Sequence, residues 1–122
     1  ALGLGPVEVV EVEARKPGKA AEAEALRPHL RGAHVIVCDE GGKARASRAF
    51  ADEIARLRDC GVRRLAFVIG GADGLDPALI DQADGALAFG PQTWPHALVR
   101  AMLAEQIWRA VSILAGSPYH RD

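Results

Sequence analysis

Leu65-Ala66-Phe67-Val68-Ile69 runs into Gly70-Gly71-Ala72-Asp73-Gly74, and two residues later Asp76-Pro77 opens the next segment. Five apolar residues in a row, rich in β-branched and aromatic types, predict a strand buried on both faces, as in a parallel sheet. Aspartate before proline predicts a helix N-cap with proline in the first turn, where its missing N–H costs nothing. A strand, a glycine turn and a helix in immediate succession are the repeating unit of an α/β domain.

The same unit recurs on either side. His34-Val35-Ile36-Val37-Cys38 is a second continuous apolar run, leading into Asp39-Glu40-Gly41-Gly42, which predicts a loop. Phe50, Ile54 and Leu57 then recur at helical spacing, and Gly61 stands where a helix commonly ends in the left-handed conformation. Towards the N-terminus, Val7, Val9 and Val12 alternate with Glu8, Glu11 and Glu13 as in a half-buried strand, and residues 19 to 27 favour helix, with Pro28 ending or kinking it. Towards the C-terminus, Ala86-Leu87-Ala88-Phe89 predicts a short fourth strand, and Gly90-Pro91-Gln92-Thr93-Trp94-Pro95-His96 a loop framed by two prolines. Ala97 to Leu114 reads as one long helix stopped by Gly116-Ser117-Pro118.

Four alternations predict one α/β domain with a mainly parallel sheet and helices on both faces. The 122 residues suffice for a single core and not for two. Leu98, Val99, Met102, Leu103, Ile107, Trp108, Val111 and Leu114 cover more than one stripe of the last helix. One face is expected on the sheet and another on a second subunit.

With 25% charged residues and a net charge of -1, no global field draws the chain to a polyanion, so any such partner must be met locally. No apolar run reaches membrane-spanning length and no leader is visible, which predicts a soluble cytoplasmic protein. Cys38 and Cys60 lack metal-ligand spacing and are expected as buried thiols; no metal site is predicted.

Ligands of parallel sheets bind beyond the carboxyl ends of the strands, here the loops after Cys38, Ile69 and Phe89. The glycine turn permits close approach to a ligand, yet it lacks the G-x-G-x-x-G spacing of dinucleotide folds and also suits a plain turn. The two-proline loop fits either a rigid connector or a frame of backbone groups for a flat ring. His96 and Arg100 share a helix face if the helix has begun by then. Glu105 and Arg109 repeat that spacing, for which a solvated ion pair is the default. Tyr119-His120-Arg121 brings three functional side chains together at the end of the chain, where fraying is the ordinary expectation.

Phe67-Val68-Ile69-Gly70-Gly71-Ala72-Asp73-Gly74, Thr93-x-Pro95-His96, Arg100, Glu105-Gln106, Trp108-Arg109-Ala110 and Tyr119-His120-Arg121 together resemble the SPOUT-class family that N3-methylates a pseudouridine of 23S ribosomal RNA. Order and spacing agree over roughly the C-terminal two thirds of the chain. The resemblance implies a parallel sheet carrying a C-terminal trefoil knot, S-adenosylmethionine as cofactor, ribosomal RNA within the ribosome as partner, and a homodimer. It places the cofactor at Cys38, at Gly70 and Gly71, and along Gly90, Pro91, Gln92, Thr93, Trp94 and Pro95. His96, Arg100, Tyr119, His120 and Arg121 become the candidates for chemistry on the RNA. Family members often carry leucine at Cys38, serine at Gly90, a smaller apolar residue at Trp94 and tyrosine at Trp108, which main-chain contacts would tolerate. The family's opening strand and helix are not found, so the sequence is expected to be a fragment or to have lost that unit. Two other classes compete: a receiver-like module phosphorylated at Asp39, and a nucleotide-dependent oxidoreductase. The first lacks the further acids and late lysine it would need, and the second lacks its glycine fingerprint.

Overall fold

A computed structural model describes residues 18–70, 75–90, 92 and 94–116. Among these residues seven elements follow one another: α1 (Lys19–Leu30), β1 (His34–Ala44), α2 (Ser47–Asp59), β2 (Leu65–Ile69), α3 (Pro77–Gln82), β3 (Gly85–Ala88) and α4 (His96–Leu114). The expected strand over Val7 to Glu13 lies outside the described residues.

The described strands form one sheet in the order β2-β1-β3, parallel at both interfaces. His34 pairs with Leu65 and Cys38 with Ile69 on one side, while Cys38 pairs with Leu87 on the other. Successive residues of β1 face opposite ways, as pleating requires. Ile36 packs with Phe50, Ile54 and Leu57 of α2, with Leu87, and with Leu103 and Ala110 of α4. Val35 and Val37 pack instead with Ala23 of α1, Val68, Leu75 and Leu79 of α3. Helices therefore cover both faces, as the continuous apolar runs predict.

Local chemistry sets the boundaries. Asp76 caps α3, its carboxylate accepting from the Ala78 N–H at 2.7 Å, with Pro77 at the start of the helix. Gly61 adopts φ 89°, closing α2 as expected. Phe50 and Phe67 lock α2 to β2, their rings 5.9 Å apart.

Four expectations are corrected. Pro28 lies inside α1 and does not end it. Only the last turn loses a hydrogen bond there, and the Arg64 guanidinium donates to the free carbonyls of His29 and, at 3.0 Å, Arg31. The loop expected after Cys38 is a bulge within β1: Cys38 and Lys43 both stand opposite Leu87, so residues 39–42 are extra to the pairing with β3, which resumes at Lys43. Cys60 is exposed and not buried, because it sits at the C-cap of α2 where the chain leaves the core. The last helix starts at His96, one residue sooner than predicted, with Pro95 at its N-cap.

Candidate functional site

The carboxyl ends of the strands meet on one edge. Ile69, Cys38 and Leu87 form a row across the sheet, so Gly70 and Gly90 stand one and three residues beyond it, after the two strands that flank β1. The segments after Ile69 and Leu87 and the β1 bulge after Cys38 thus lie at one end of the sheet, because the strands are parallel and in register. Cys38 is half-buried, and burial pushes its thiol up to about 12, so it is a neutral group near physiological pH.

The bulge after Cys38 is shaped by Gly42. A Cβ at that position would lie 2.7 Å from the carbonyl carbon of Ala86 and 2.8 Å from the Leu87 nitrogen, so the chain lies flat against β3 backbone where only glycine fits. Asp39 Oδ2 accepts from the Gly41 N–H at 3.0 Å and folds the turn that leads into it. Sequence reasoning did not single out Gly42, although its place in the Asp-Glu-Gly-Gly turn was the available signal.

Beyond β3, Gly90 takes φ 95°, which turns the chain out of the sheet. The loop is closed by Trp94, whose indole Nε1 donates to the Phe89 carbonyl at 3.0 Å. Trp94 is 37% exposed. Gln92 and Pro95 are exposed. His96 opens α4 and Arg100 follows one turn later on the same face, both exposed, so the expected pairing holds. Gly71, Pro91, Thr93, Tyr119, His120 and Arg121 lie outside the described residues.

Next to Gly90 a cleft of about 360 Å³ opens between the end of β3 and the helices α2 and α4, lined by Ser47, Phe50, Leu87, Met102 and Gln106. Its size falls in the range of about 300–1,000 Å³ typical of small-molecule sites. Ser47 Oγ donates to Gln106 Oε1 at 2.7 Å and holds the start of α2 against α4 at its wall. A narrower crevice of about 120 Å³ lies by His34, Glu53, Arg56 and Asp84 and touches none of the candidate residues.

Farther along α4, Arg109 and Glu105 form the expected pair, 2.7 Å from Nη2 to Oε1. Only Leu103, Ala110 and Ser112 of this helix are buried, while Leu98 is 43% and Trp108 61% exposed. The apolar coverage read from sequence is therefore left facing outward on one side. Among the described residues no group of His, Cys, Asp or Glu is placed to hold a metal, and no helix is long and apolar enough to cross a membrane.

Comparison with known proteins sharpens the assignment. Residues 4–120 match the family model described as "Predicted SPOUT methyltransferase". The protein called ribosomal RNA large subunit methyltransferase H from Phenylobacterium zucineum (strain HLK1) is 84% identical over 100% of this chain and 79% of its own length. Its namesake from Caulobacter vibrioides (strain ATCC 19089 / CIP 103742 / CB 15) is 72% identical over the same shares. That of Dinoroseobacter shibae (strain DSM 16493 / NCIMB 14021 / DFL 12) is 60% identical over 98% of this chain and 78% of its own length. A family match over almost the whole sequence, on a parallel α/β sheet with its loops gathered at one edge, places the chain plainly: it belongs to the SPOUT methyltransferase family, among relatives called ribosomal RNA large subunit methyltransferase H.

Proposed function

We propose that this chain transfers a methyl group from S-adenosylmethionine to N3 of a pseudouridine in 23S ribosomal RNA, acting on the ribosome as a cytoplasmic homodimer. The observation that carries the reading is the convergence of Cys38, Gly70 and Gly90 on one sheet edge in a chain whose near relatives are named for methylating large-subunit ribosomal RNA. The trefoil knot of the resemblance belongs to the same proposal.

The residues present fit the cofactor. Strand-end backbone groups, a neutral thiol and the apolar side chains of Ile69, Leu87 and Phe89 offer main-chain hydrogen bonds over a dry floor. That set suits the uncharged purine ring of the cofactor. When bound, S-adenosylmethionine supplies a methyl group on a positively charged sulfur. Cys38, Gly70, Gly71 and the 90–95 loop would hold it, largely through backbone. The protein's own contribution is alignment and exclusion of water, since charge is lost in such a displacement and little acid–base chemistry is needed at the donor.

The acceptor still has to lose its N3 proton. Imidazole changes charge near neutral pH and can accept a proton, while guanidinium stabilises a developing anion and grips phosphate. His96 and Arg100, on one face at the start of α4, are one such pair; His120 and Arg121, with Tyr119, form the other. The outward apolar side of α4 is the proposed subunit contact, through which a partner's tail would complete each site. Sedimentation at micromolar concentration should report twice the chain mass, and a well-folded monomer would contradict this part.

Methyl transfer is tested with labelled S-adenosylmethionine and ribosomes lacking the modification, followed by digestion and mass analysis of the nucleosides. One methyl per ribosome on N3 of a pseudouridine is expected. Absence of transfer, or methylation of another base, would refute the reading.

A further inference from the structure

The opposite edge of the sheet carries a feature that the cofactor site leaves unused. Residues 27–34 hold Arg27, His29, Arg31 and His34 with no acid, and residues 56–64 hold Arg56, Arg58, Arg63 and Arg64 with Asp59 as the one acid. The fold joins these two segments. The His34 N–H donates to the Arg64 carbonyl at 2.9 Å, and the Arg64 guanidinium reaches back to the carbonyls of His29 and Arg31. Six arginines lie on the two segments joined where β1 and β2 begin, in a chain whose net charge is only -1, while the acids at the same end are engaged, Glu53 by Arg56 and Asp84 by the Val35 N–H.

These arginines divide by what they do for the fold. Arg27 pairs with Glu24, Arg56 with Glu53 and Arg58 with Asp59. Arg64 serves the carbonyl end of α1, where a cation also answers the helix dipole, but no carboxylate among the described residues neutralises it. Arg31 and Arg63 are exposed and have no carboxylate partner among the described residues, and both lie beyond the last turns of their helices. Nothing in the packing asks for them. The three large hydrophobic side chains that are exposed among the described residues, Trp94, Leu98 and Trp108, all belong to the other end of the sheet or to α4. The surface thus has the character of a phosphate-binding edge and not of an apolar protein contact.

We propose that this amino edge, centred on Arg31, Arg63 and Arg64, is a docking surface for the phosphate backbone of the substrate RNA, gripping nucleotides that flank the target base. The proposal rests on the methyltransferase reading above. From His34 to Cys38 the sheet spans four residue steps, about 13 Å at ~3.3 Å per residue. At ~3.4 Å per stacked nucleotide that is roughly four nucleotides, so one RNA segment reaches both edges. Phosphate contacts of this kind set position and orientation, leaving the base to be recognised at the carboxyl edge.

The test is the double variant Arg31→Glu/Arg63→Glu, chosen because neither side chain holds the fold together, with Arg64 left intact. Circular dichroism and the melting midpoint establish that it folds, and Arg63→Glu alone serves if the double variant does not. Methylation of ribosomes is measured across salt concentrations, together with S-adenosylmethionine affinity and binding to protein-free 23S ribosomal RNA at low salt. The expected result is a KM for ribosomes raised about tenfold or more with kcat and cofactor affinity unchanged. A log–log salt dependence shallower by roughly 0.7–0.9 per lost contact should accompany it, with weaker binding to protein-free RNA. An unchanged KM overturns the proposal. So does a raised KM with unaltered binding to protein-free RNA, which would point to an acidic ribosomal protein. A fall in kcat alone overturns it too. If the wild-type chain methylates nothing while binding RNA through this edge, it is the methyltransferase reading that fails.

Discussion

The two edges of one sheet are built on opposite principles. At the amino edge, side chains fasten backbone: Asp84 Oδ2 accepts from the Val35 N–H at 2.8 Å, the Asp84 N–H donates to the Val35 carbonyl at 2.8 Å, and Arg64 ties α1 to the start of β2. At the carboxyl edge, backbone approaches backbone: Gly42 lies on Ala86 and Leu87, Gly90 turns out at positive φ, and the described side chains that act there mainly brace loops. A fastened edge resists change and can display charge. An edge shaped by glycines can leave main-chain groups open to a ligand, at the cost of a position, Gly42, that has no room for an added atom.

The largest effect expected comes from the proposed RNA-facing residues of the tail. His120→Ala and Arg121→Ala should each lower methylation by about two or more orders of magnitude, within the range of general-base and charge-stabilising groups, with cofactor affinity nearly unchanged. Full activity in a chain ending at Ser117 would show that the tail takes no part.

Gly42→Ala should come next. Its new methyl would meet β3 backbone, which cannot swing aside as a flexible side chain would, so a loss of about 1–3 kcal/mol is expected from overpacking. The displaced bulge begins at Cys38, and S-adenosylmethionine affinity should fall about tenfold by calorimetry. Wild-type stability and affinity together would mean that residues 39–42 are not part of the site's frame.

How far such effects were legible in the sequence depends on the range of the interaction. Asp76-Pro77, Gly61 and the run Leu65–Ile69 declare themselves through near neighbours in the chain, and the structure places each as read. The bulge at Gly42 does not, because its reason is the backbone of β3, brought alongside only by parallel pairing. That α1 runs two residues past Pro28 was not legible either, since the guanidinium that meets the end of α1 arrives 35 residues later in sequence. Cys60 shows the limit of residue type as a guide: cysteine favours the interior, but a helix C-cap can put it outside. The candidate site was legible chiefly as a constellation. Gly70, Gly90 and Cys38 are ordinary singly, and they are proposed as a site because β2 and β3 end beside the β1 bulge.

A smaller effect is expected from Asp84→Ala. Leaving the Val35 N–H without its carboxylate should cost about 1–2 kcal/mol in denaturant unfolding. Cofactor affinity should stay as it is, because the lesion lies at the fastened edge. A matching loss of affinity would show that the two edges are not independent.

The smallest effect separates the two thiols. Iodoacetamide at pH 8 should label Cys60 readily and Cys38 only after unfolding. The Cys38 thiol is raised from 9.0 to about 12 by burial, so the folded chain holds that proton more tightly than the unfolded one. Its contribution to stability is accordingly complete below pH 9 and declines as pH rises from 9 towards 12, a decline that Cys38→Ala should remove. Equal labelling of both thiols in the folded protein would contradict the burial of Cys38.

The central claim is that the cofactor belongs to the carboxyl edge and not to the amino edge. Backbone hydrogen exchange, followed by residue with and without S-adenosylhomocysteine, compares the two within one molecule. Protection is expected at residues 38–42, at 69–71 and along 87–95, with residues 31–34 and 62–65 unchanged. Protection confined to the amino edge, or spread equally over both, would contradict the account.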